Sequence, residues 1–348
     1  MNYRSNKQLF AKQKWLPIGI ANIVFAGLLA IVSPVFLTLS NFQSMLVQSS
    51  VTAIMAVGMT FIIITAGIDI SMGAILFFCS ALFAQLLVET QSYFYAFSAA
   101  IACATLLGTL NGFLVIRFKI SPLIATLATY SIYRGMAIHL TGAQNIPVPR
   151  EMGFLGNGTL FGLPVPIILL FSIFILGIYL LNYTRLGLYA KAIGSSARSA
   201  RESNLPVAKV TIAVYAIGGL VTGIAALILL ARVGGLQSGI EIGIEFTVIA
   251  AVILGGTKLT GGSGTVVGSV LGAFFLVLID NGLNLINASP YIYTISCVVV
   301  CCWLQWWLID YRLINKNSLY YRQEKQDWKK ITQLIRHKRM IFDVFLRH

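Results

Sequence analysis

A few ionisable side chains lie singly within or between long apolar stretches, where they could bind a polar solute or pair with one another. Asp69, Glu245 and Asp280 are carboxylates in such positions, and Arg134 is a cation in one of them. An ionised side chain near lipid is costly, so its presence indicates a function or a partner. Asp69 alternatively caps the helix that follows it, which we favour, and Arg134 either reaches the outer surface or pairs with Asp280.

The sequence contains none of the common catalytic or metal-binding motifs. It has no nucleophile elbow, no H-E-x-x-H, no carboxylate pair placed as in a glycosidase and no G-x-x-x-x-G-K-[ST] loop. His139 has no second ligand at helical spacing, and the cysteines lie within apolar segments without a zinc spacing. We therefore predict no catalytic residue and no metal site.

The composition is that of a polytopic membrane protein. Of the 348 residues, 57% are hydrophobic and only 10% are charged. A transmembrane helix needs about 20 apolar residues, and the chain therefore predicts an all-α membrane protein with about ten transmembrane helices. The candidate spans are Leu16–Leu37, Met45–Thr65, Met72–Val88, Tyr93–Ile116, Pro122–Leu140, Pro164–Leu181, Val207–Ala231, Glu245–Gly256, Thr265–Ile286 and Ile292–Ile309. The eighth is too short to cross alone, so it either begins near Gly239 or is a half-helix.

Basic residues near the span ends predict the orientation, because loops rich in Lys and Arg stay in the cytoplasm. With ten crossings the basic N-terminal run and the tail fall on the cytoplasmic side, and the long 142–163 connection falls outside. We predict one transmembrane domain over 1–310 and a basic cytoplasmic tail over 311–348. Half of the net charge of +14 lies in that tail, which favours contact with anionic lipid over nucleic acid. Helical spacing of apolar residues favours a surface helix in the tail over a disordered one.

A glycine-rich break follows the eighth span. Backbone that leaves the helical conformation in a membrane must be satisfied by protein or by water. Gly264 and Gly268 belong to a four-residue repeat that would form a smooth packing face, and Gly261 and Gly262 precede them. The alternative to a packing face is a gate hinge.

Two similarities within the chain suggest related halves. The segment from Thr52 is similar to the one from Thr247, and the segment from Leu110 is similar to the one from Asp280. Under the predicted topology the first pair runs parallel and the second antiparallel. One match is therefore chance, or the span count is wrong by one.

Three segments resemble the membrane permease subunit of the ribose-type family of bacterial ABC importers: Met55–Ala74, Gly108–Gly135 and Tyr189–Asn284. Their order and spacing agree with that family. The resemblance implies an ABC importer permease fold in the bacterial inner membrane. It also implies import of a monosaccharide, such as a pentose, a hexose or a related small sugar, by alternating access.

The resemblance further implies the partners. They are a second permease subunit, identical or related, two ATP-hydrolysing subunits and a periplasmic sugar-binding protein. ATP and Mg²⁺ would bind to the ATPase subunits, so the chain itself would be a transport subunit without a cofactor, not an enzyme.

The loop at about 183–206 resembles the family segment that couples the permease to its ATPase. Small residues would let a short helix sit in a cleft of another subunit, while charged residues contact the rim. The candidate coupling residues are Gly194, Ser196, Ala197, Arg198, Ala200, Arg201 and Asn204. Ser196 and Asn204 replace the family's usual asparagine and glycine, although asparagine tolerates a left-handed turn. The alternative is an ordinary basic cytoplasmic loop.

A path for sugars needs polar groups on an otherwise smooth wall, because sugars present hydroxyl groups. The polar residues within spans that could serve are Asn111, Thr126, Thr129, Asn281 and Asn284. Hydrogen bonds between helices would explain the same residues without a solute.

The competing function is an ion-coupled secondary carrier or a channel for a small polar solute. Such a carrier usually needs intramembrane carboxylates to bind sodium ions or protons, and Asp69, Glu245 and Asp280 would qualify. A structural scaffold, the third class, would leave the coupling loop and the glycine block unexplained.

Overall fold

The computed structural model describes residues 15–237 and 242–287, and helices make up most of both ranges. The helices in chain order are α1 (Leu16–Val32), α2 (Leu39–Ile64), α3 (Met72–Thr90), α4 (Tyr93–Phe118), α5 (Pro122–Thr141), α6 (Gly153–Asn157), α7 (Val165–Tyr183), α8 (Arg185–Ser195), α9 (Ala197–Glu202), α10 (Val207–Val233), α11 (Ile244–Leu254) and α12 (Val266–Leu285). The strands are β1 (Ile146–Pro147), β2 (Thr159–Leu160), β3 (Leu163–Pro164) and β4 (Gly235–Leu236), and a 3₁₀ turn covers Arg150–Met152. The predicted tenth span and the basic tail lie outside the described residues.

The first nine predicted spans each correspond to one helix, with small differences at their ends. Within the described residues, six helices are long and apolar enough to cross a membrane: α2, α3, α4, α7, α10 and α12. The apolar helices α1 and α11 are shorter. Helix α11 has 11 residues, which at about 1.5 Å per residue covers roughly half of a hydrocarbon core. It begins after Gly243, so the half-helix interpretation fits it better than a start near Gly239.

Local sequence signals explain why these helices begin and end where they do. Helix α4 ends at Phe118, and the next residue, Lys119, has the left-handed backbone typical of a helix C-terminus. Helix α5 then begins with Pro122, whose fixed φ and missing N–H suit the first turn. Thr38 and Thr265 cap α2 and α12 by accepting backbone N–H groups with their side chains.

Helix α2 lies at the centre of the bundle. In its most apolar stretch 83% of residues are buried, against 28% in α4 and α7. It packs against α10 and α12, and α10 packs in turn against α4. Large apolar side chains such as Ile31 and Phe94 remain exposed on the outer helices, as expected of surfaces that face lipid.

Glycines set the closest contacts between helices. A Cβ on Gly108 of α4 would lie 2.9 Å from the Cα of Gly219 in α10. A Cβ on Gly268 of α12 would collide with the carbonyl oxygen of Gly255, just after α11, and one on Gly272 would collide with that of Ala251. The repeated glycines of α12 therefore lie against α11, as a packing face requires.

The bundle has two distinguishable ends. At one end β1, which follows α5, pairs with β4, which follows α10; we call this the β end. At the other end the start of α5, the start of α10 and helix α9 line a common cavity; we call this the α9 end.

Replacing Gly268 with leucine should lower the stability of the bundle. The new side chain would meet backbone of the chain after α11, which cannot move aside like a flexible side chain, and overpacking of this kind costs about 3 kcal/mol. The measurement is the midpoint of thermal unfolding of the purified protein in detergent. Gly27→Leu is the matched control, because a Cβ on Gly27 meets nothing within 4 Å. Equal midpoints for the two variants would contradict the close contact between α11 and α12.

Candidate functional site

The end of α2, the end of α8 and the glycine-rich loop before α12 meet at the α9 end. The backbone N–H of Gly262 donates to the carbonyl oxygen of Ile64 at 2.8 Å. A Cβ on Gly194 would collide with that same oxygen, and a Cβ on Gly261 would lie 2.8 Å from the backbone nitrogen of Ala66. We call the contact between 64–67, 194–195 and 261–262 the junction. It brings together one residue predicted for coupling and two predicted for structure or gating.

The backbone conformation of the junction depends on glycine. Gly261 and Gly262 have φ values of +82° and +74°, which side chains disfavour. A side chain at Gly194 would separate α8 from the end of α2. Helix α8 therefore contacts the end of α2 and the loop before α12 directly through backbone.

Helix α9 is a short, well-capped helix that follows α8 directly. The Ser196 side chain accepts the backbone N–H of Ser199 at 3.2 Å, so serine caps the helix in place of the family's asparagine. Ala200 is only 4% exposed. Asn204 has a φ of +57°, the left-handed turn that its residue type allows, and the backbone N–H of Leu205 donates to the carbonyl oxygen of Ala200 at 3.0 Å. Ala200 is therefore fixed against its own loop.

The charged residues near α9 are divided between exposed and anchored positions. Arg198 pairs with Glu202 at 3.0 Å, and both side chains are exposed. Arg201 donates from Nε to the carbonyl oxygen of Ala197 at 3.1 Å. Lys191 of α8 donates from Nζ to the carbonyl oxygen of Leu181 at 3.1 Å, and partial burial lowers its pKa. Helix α8 is thereby attached to the end of α7, while α9 presents its charges outward.

A buried polar network lies next to the junction, around Asp69. Its Oδ1 accepts the backbone N–H of Ser71 at 2.9 Å and the Ser71 hydroxyl at 2.6 Å. Asn111 of α4 donates to the Ser71 hydroxyl oxygen at 2.6 Å and accepts from the Tyr133 hydroxyl of α5 at 3.1 Å. Asp69 thus accepts the backbone N–H of Ser71, the residue just before α3, where the sequence predicted a helix cap. Through Ser71 it is also connected to Asn111 of α4.

Thr126 of α5 forms hydrogen bonds with the segment that connects α2 to α3. Its hydroxyl oxygen accepts the backbone N–H of Ile70 at 3.2 Å, and its hydroxyl is 2.9 Å from the carbonyl oxygen of Pro122. The Tyr215 hydroxyl of α10 donates to the carbonyl oxygen of Ile68 at 3.5 Å. Thr129, in contrast, donates within its own helix. Hydrogen bonding within the protein therefore accounts for Asn111, Thr126 and Thr129.

The remaining candidates for the solute path lie at the opposite end of α12 from the junction. Asn281 exchanges hydrogen bonds with Asn41 of α2, the shorter at 2.7 Å. Asn284 donates to Asp280 at 3.5 Å. The five predicted path residues therefore form two separate groups, and the structure does not bring them into one lining.

The predicted pairing of Arg134 with Asp280 is wrong. The Arg134 guanidinium lies over the ring of Phe77, 5.0 Å from its centroid. Asp280 instead accepts from Nε2 of Gln48 in α2 at 2.7 Å. The reason is the packing order, because α5 packs against α3 whereas α12 packs against α2. An aromatic face therefore stabilises the cation, and an amide stabilises the carboxylate.

Glu245 is buried against the start of α3. It is 2% exposed, and a Cβ on Gly73 would collide with its carboxylate. Gly73 therefore provides the space that this carboxylate occupies. The described residues contain no group of three or more His, Cys, Asp or Glu that could hold a metal ion.

Sequence reasoning missed several members of these networks: Ser71, Tyr133, Tyr215, Gln48 and Asn41. One signal was available for Tyr133, because Thr126, Thr129 and Tyr133 follow helical spacing and share a face of α5. The partners on α2 and α10 carry no such signal.

Asn111→Ala should destabilise the protein by about 2 kcal/mol, because it leaves the buried hydroxyl groups of Ser71 and Tyr133 with fewer partners. Tyr133→Phe keeps the ring and removes one hydroxyl, so its effect should be smaller. Thermal unfolding in detergent measures both. If Asn111→Ala unfolds at the wild-type temperature, the network does not contribute to stability.

Residues 41–304 match the protein family described as "Branched-chain amino acid transport system / permease component". The L-arabinose transport system permease protein AraH of Escherichia coli strain K12 is 34% identical over 273 residues, 77% of this chain and 83% of that protein. No solved structure matches the chain significantly.

Two ribose import permeases named RbsC are also similar. The protein of Escherichia coli strain K12 is 37% identical over 290 residues, 81% of this chain and 89% of that protein. The Bacillus subtilis strain 168 protein is 36% identical over 267 residues, 76% of this chain and 83% of that protein. The chain therefore belongs to the family of bacterial transport permeases that includes these ribose and arabinose proteins.

Proposed function

We propose that this chain is the membrane-spanning subunit of an ATP-driven importer for a monosaccharide and works by alternating access. The junction is the observation that carries this proposal, because it joins the short helix pair α8–α9 to the central helix α2. A movement imposed on α9 from outside would reach the middle of the bundle without passing through a flexible linker. The chain itself contains no phosphate-binding loop, so ATP and Mg²⁺ would be bound by partner subunits.

The proposed cargo is a sugar such as ribose, another pentose or a hexose. The family description names branched-chain amino acids, but the relatives compared above are named for ribose and arabinose. Uptake of labelled ribose, arabinose and leucine into vesicles that contain the chain with its ATPase and binding protein would decide between the classes. Sugar uptake that requires ATP is expected, and leucine uptake alone would contradict the proposal.

The competing carrier function finds less support. Asp69 and Asp280 both accept hydrogen bonds from neighbouring side chains, and Glu245 is buried against α3. An ion-binding carrier needs such groups to exchange ions with water. Sugar uptake by the purified chain alone, driven by an ion gradient, would favour the carrier.

The proposed assembly contains a second permease subunit, two ATPase subunits and a periplasmic binding protein in the inner membrane. About ten crossings with both termini in the cytoplasm would place the α9 end inside. The basic residues Lys119, Arg201 and Lys209 all lie at that end, which agrees with the distribution of positive charge in membrane proteins. The binding protein would then dock at the β end.

Single cysteines test this orientation in a background without the native cysteines. In intact spheroplasts a membrane-impermeant maleimide should label Asn157→Cys, in the connection at the β end. Ser203→Cys, which follows α9, should be labelled only after the membrane is permeabilised. The reverse pattern would place α9 outside and remove the proposed coupling role.

Ala200→Trp and Arg201→Glu should abolish ATP-dependent sugar uptake while the protein stays in the membrane. The first replaces a small buried residue of α9, and the second reverses a charge that would contact the ATPase. Uptake into vesicles, normalised to the amount of protein, is the measurement. Arg117→Glu is the control for charge, because Arg117 is exposed at the same end on α4. Normal uptake in both α9 variants would refute the coupling assignment.

A further inference from the structure

A cavity of about 640 Å³ opens at the α9 end between helices α4, α5, α9 and α10. Its charged lining residues are Lys119, Arg201 and Lys209. Within the described part of the chain no acidic residue lines it. Three positive charges thus surround one space without a negative charge among them.

Two of these charges have no polar partner among the described residues. Neither Lys119 nor Lys209 forms a hydrogen bond or ion pair with another described residue, and the one ion pair among those residues joins Arg198 and Glu202. Arg201 uses only Nε, on the carbonyl oxygen of Ala197. The remaining donors of all three side chains are available to an anion.

The rest of the cavity wall is largely apolar. Apart from the charged residues it is lined by side chains such as Val115, Ile116, Ile193 and Leu205. A free inorganic anion would gain nothing from such a wall, whereas an acyl chain would be removed from water by it. The volume lies within the range of about 300–1,000 Å³ typical of pockets for organic ligands.

The cavity lies at the ends of two long apolar helices, α4 and α10. Helix α4 ends at Phe118 and α10 begins at Val207, and residues next to both ends line the space. Apolar side chains therefore lie on the side of the membrane interior, and lysines lie at the helix ends. Basic pockets between transmembrane helices in this position suit anionic headgroups.

We propose that this cavity binds one anionic phospholipid, with the phosphate between Lys119, Arg201 and Lys209 and part of an acyl chain on the apolar wall. Arg201 belongs to α9, Lys119 follows α4 and Lys209 lies in the first turn of α10, so the lipid would connect α9 to the bundle. The proposal goes beyond the transport function and does not depend on which solute is carried. It adds a lipid that adjusts how firmly α9 is held.

Native mass spectrometry of the detergent-purified full chain tests the proposal, with dioleoylphosphatidylglycerol and dioleoylphosphatidylcholine as probes. We expect one phosphatidylglycerol bound per chain and much weaker retention of phosphatidylcholine. The substitutions Lys119→Gln and Lys209→Gln remove one charge each, and each should weaken phosphatidylglycerol retention about fivefold. Arg117→Gln, on the same helix end but outside the cavity, should retain the lipid as the wild type does.

A second variant separates lipid binding from general charge effects. Ala208 is an exposed residue that lines the cavity, so Ala208→Trp should fill it and displace the lipid with all three charges intact. Thermal unfolding of each variant is measured first, and only variants that unfold at the wild-type temperature are compared, which excludes misfolded protein.

Three results would overturn the proposal. The first is equal retention of the two lipids, and the second is an equal loss in Arg117→Gln and the lysine variants. The third is displacement of phosphatidylglycerol by an equimolar amount of inorganic phosphate, which would identify a free anion as the occupant.

Discussion

The structure depends on one constraint, which is that backbone outside the helices of an apolar bundle must find its hydrogen bonds within the protein. The junction meets this constraint with its own segments. Gly262 donates to the carbonyl oxygen of Ile64, which the helix leaves free where α2 ends. Gly194 approaches the same oxygen closely enough to exclude a side chain. The end of α2 and the loop before α12 therefore satisfy each other's backbone hydrogen bonds, and Gly194 of α8 packs against both.

The helices could be predicted from the sequence because their signals are local. Apolar runs of the right length indicate where they lie, and residues such as Pro122 and Thr265 mark where they begin. For α11 the sequence left two possibilities, a start near Gly239 or a half-helix, and only the structure favours the second. Contacts between distant segments carry no comparable signal. Nothing in the sequence indicates that Gly194 should touch the end of α2.

The partners of the polar residues could not be predicted either, because they too lie on distant segments. Their presence in apolar segments indicated that each needs a partner, but charge complementarity suggested Arg134 and Asp280 for one another. The cation lies instead over the ring of Phe77, and the carboxylate accepts from Gln48. An aromatic face or an amide satisfies a charge without leaving a complementary pattern in the sequence. Partner identity is therefore decided by helix packing, which is set by where glycines allow close approach.

Close packing and function are connected at the α9 end. Helices in contact through backbone at Gly194, Gly255 and Gly268 cannot slide past one another independently, because no flexible side chain lies between them to absorb the shift. Under the proposed coupling, a push on α9 would reach α2, α11 and α12 together. The cavity lined by Lys119 and Arg201 is the exception, since open space separates α9 from the end of α4 there. Under the proposed coupling, α9 would have room to move into that space, and a lipid bound there would limit the movement.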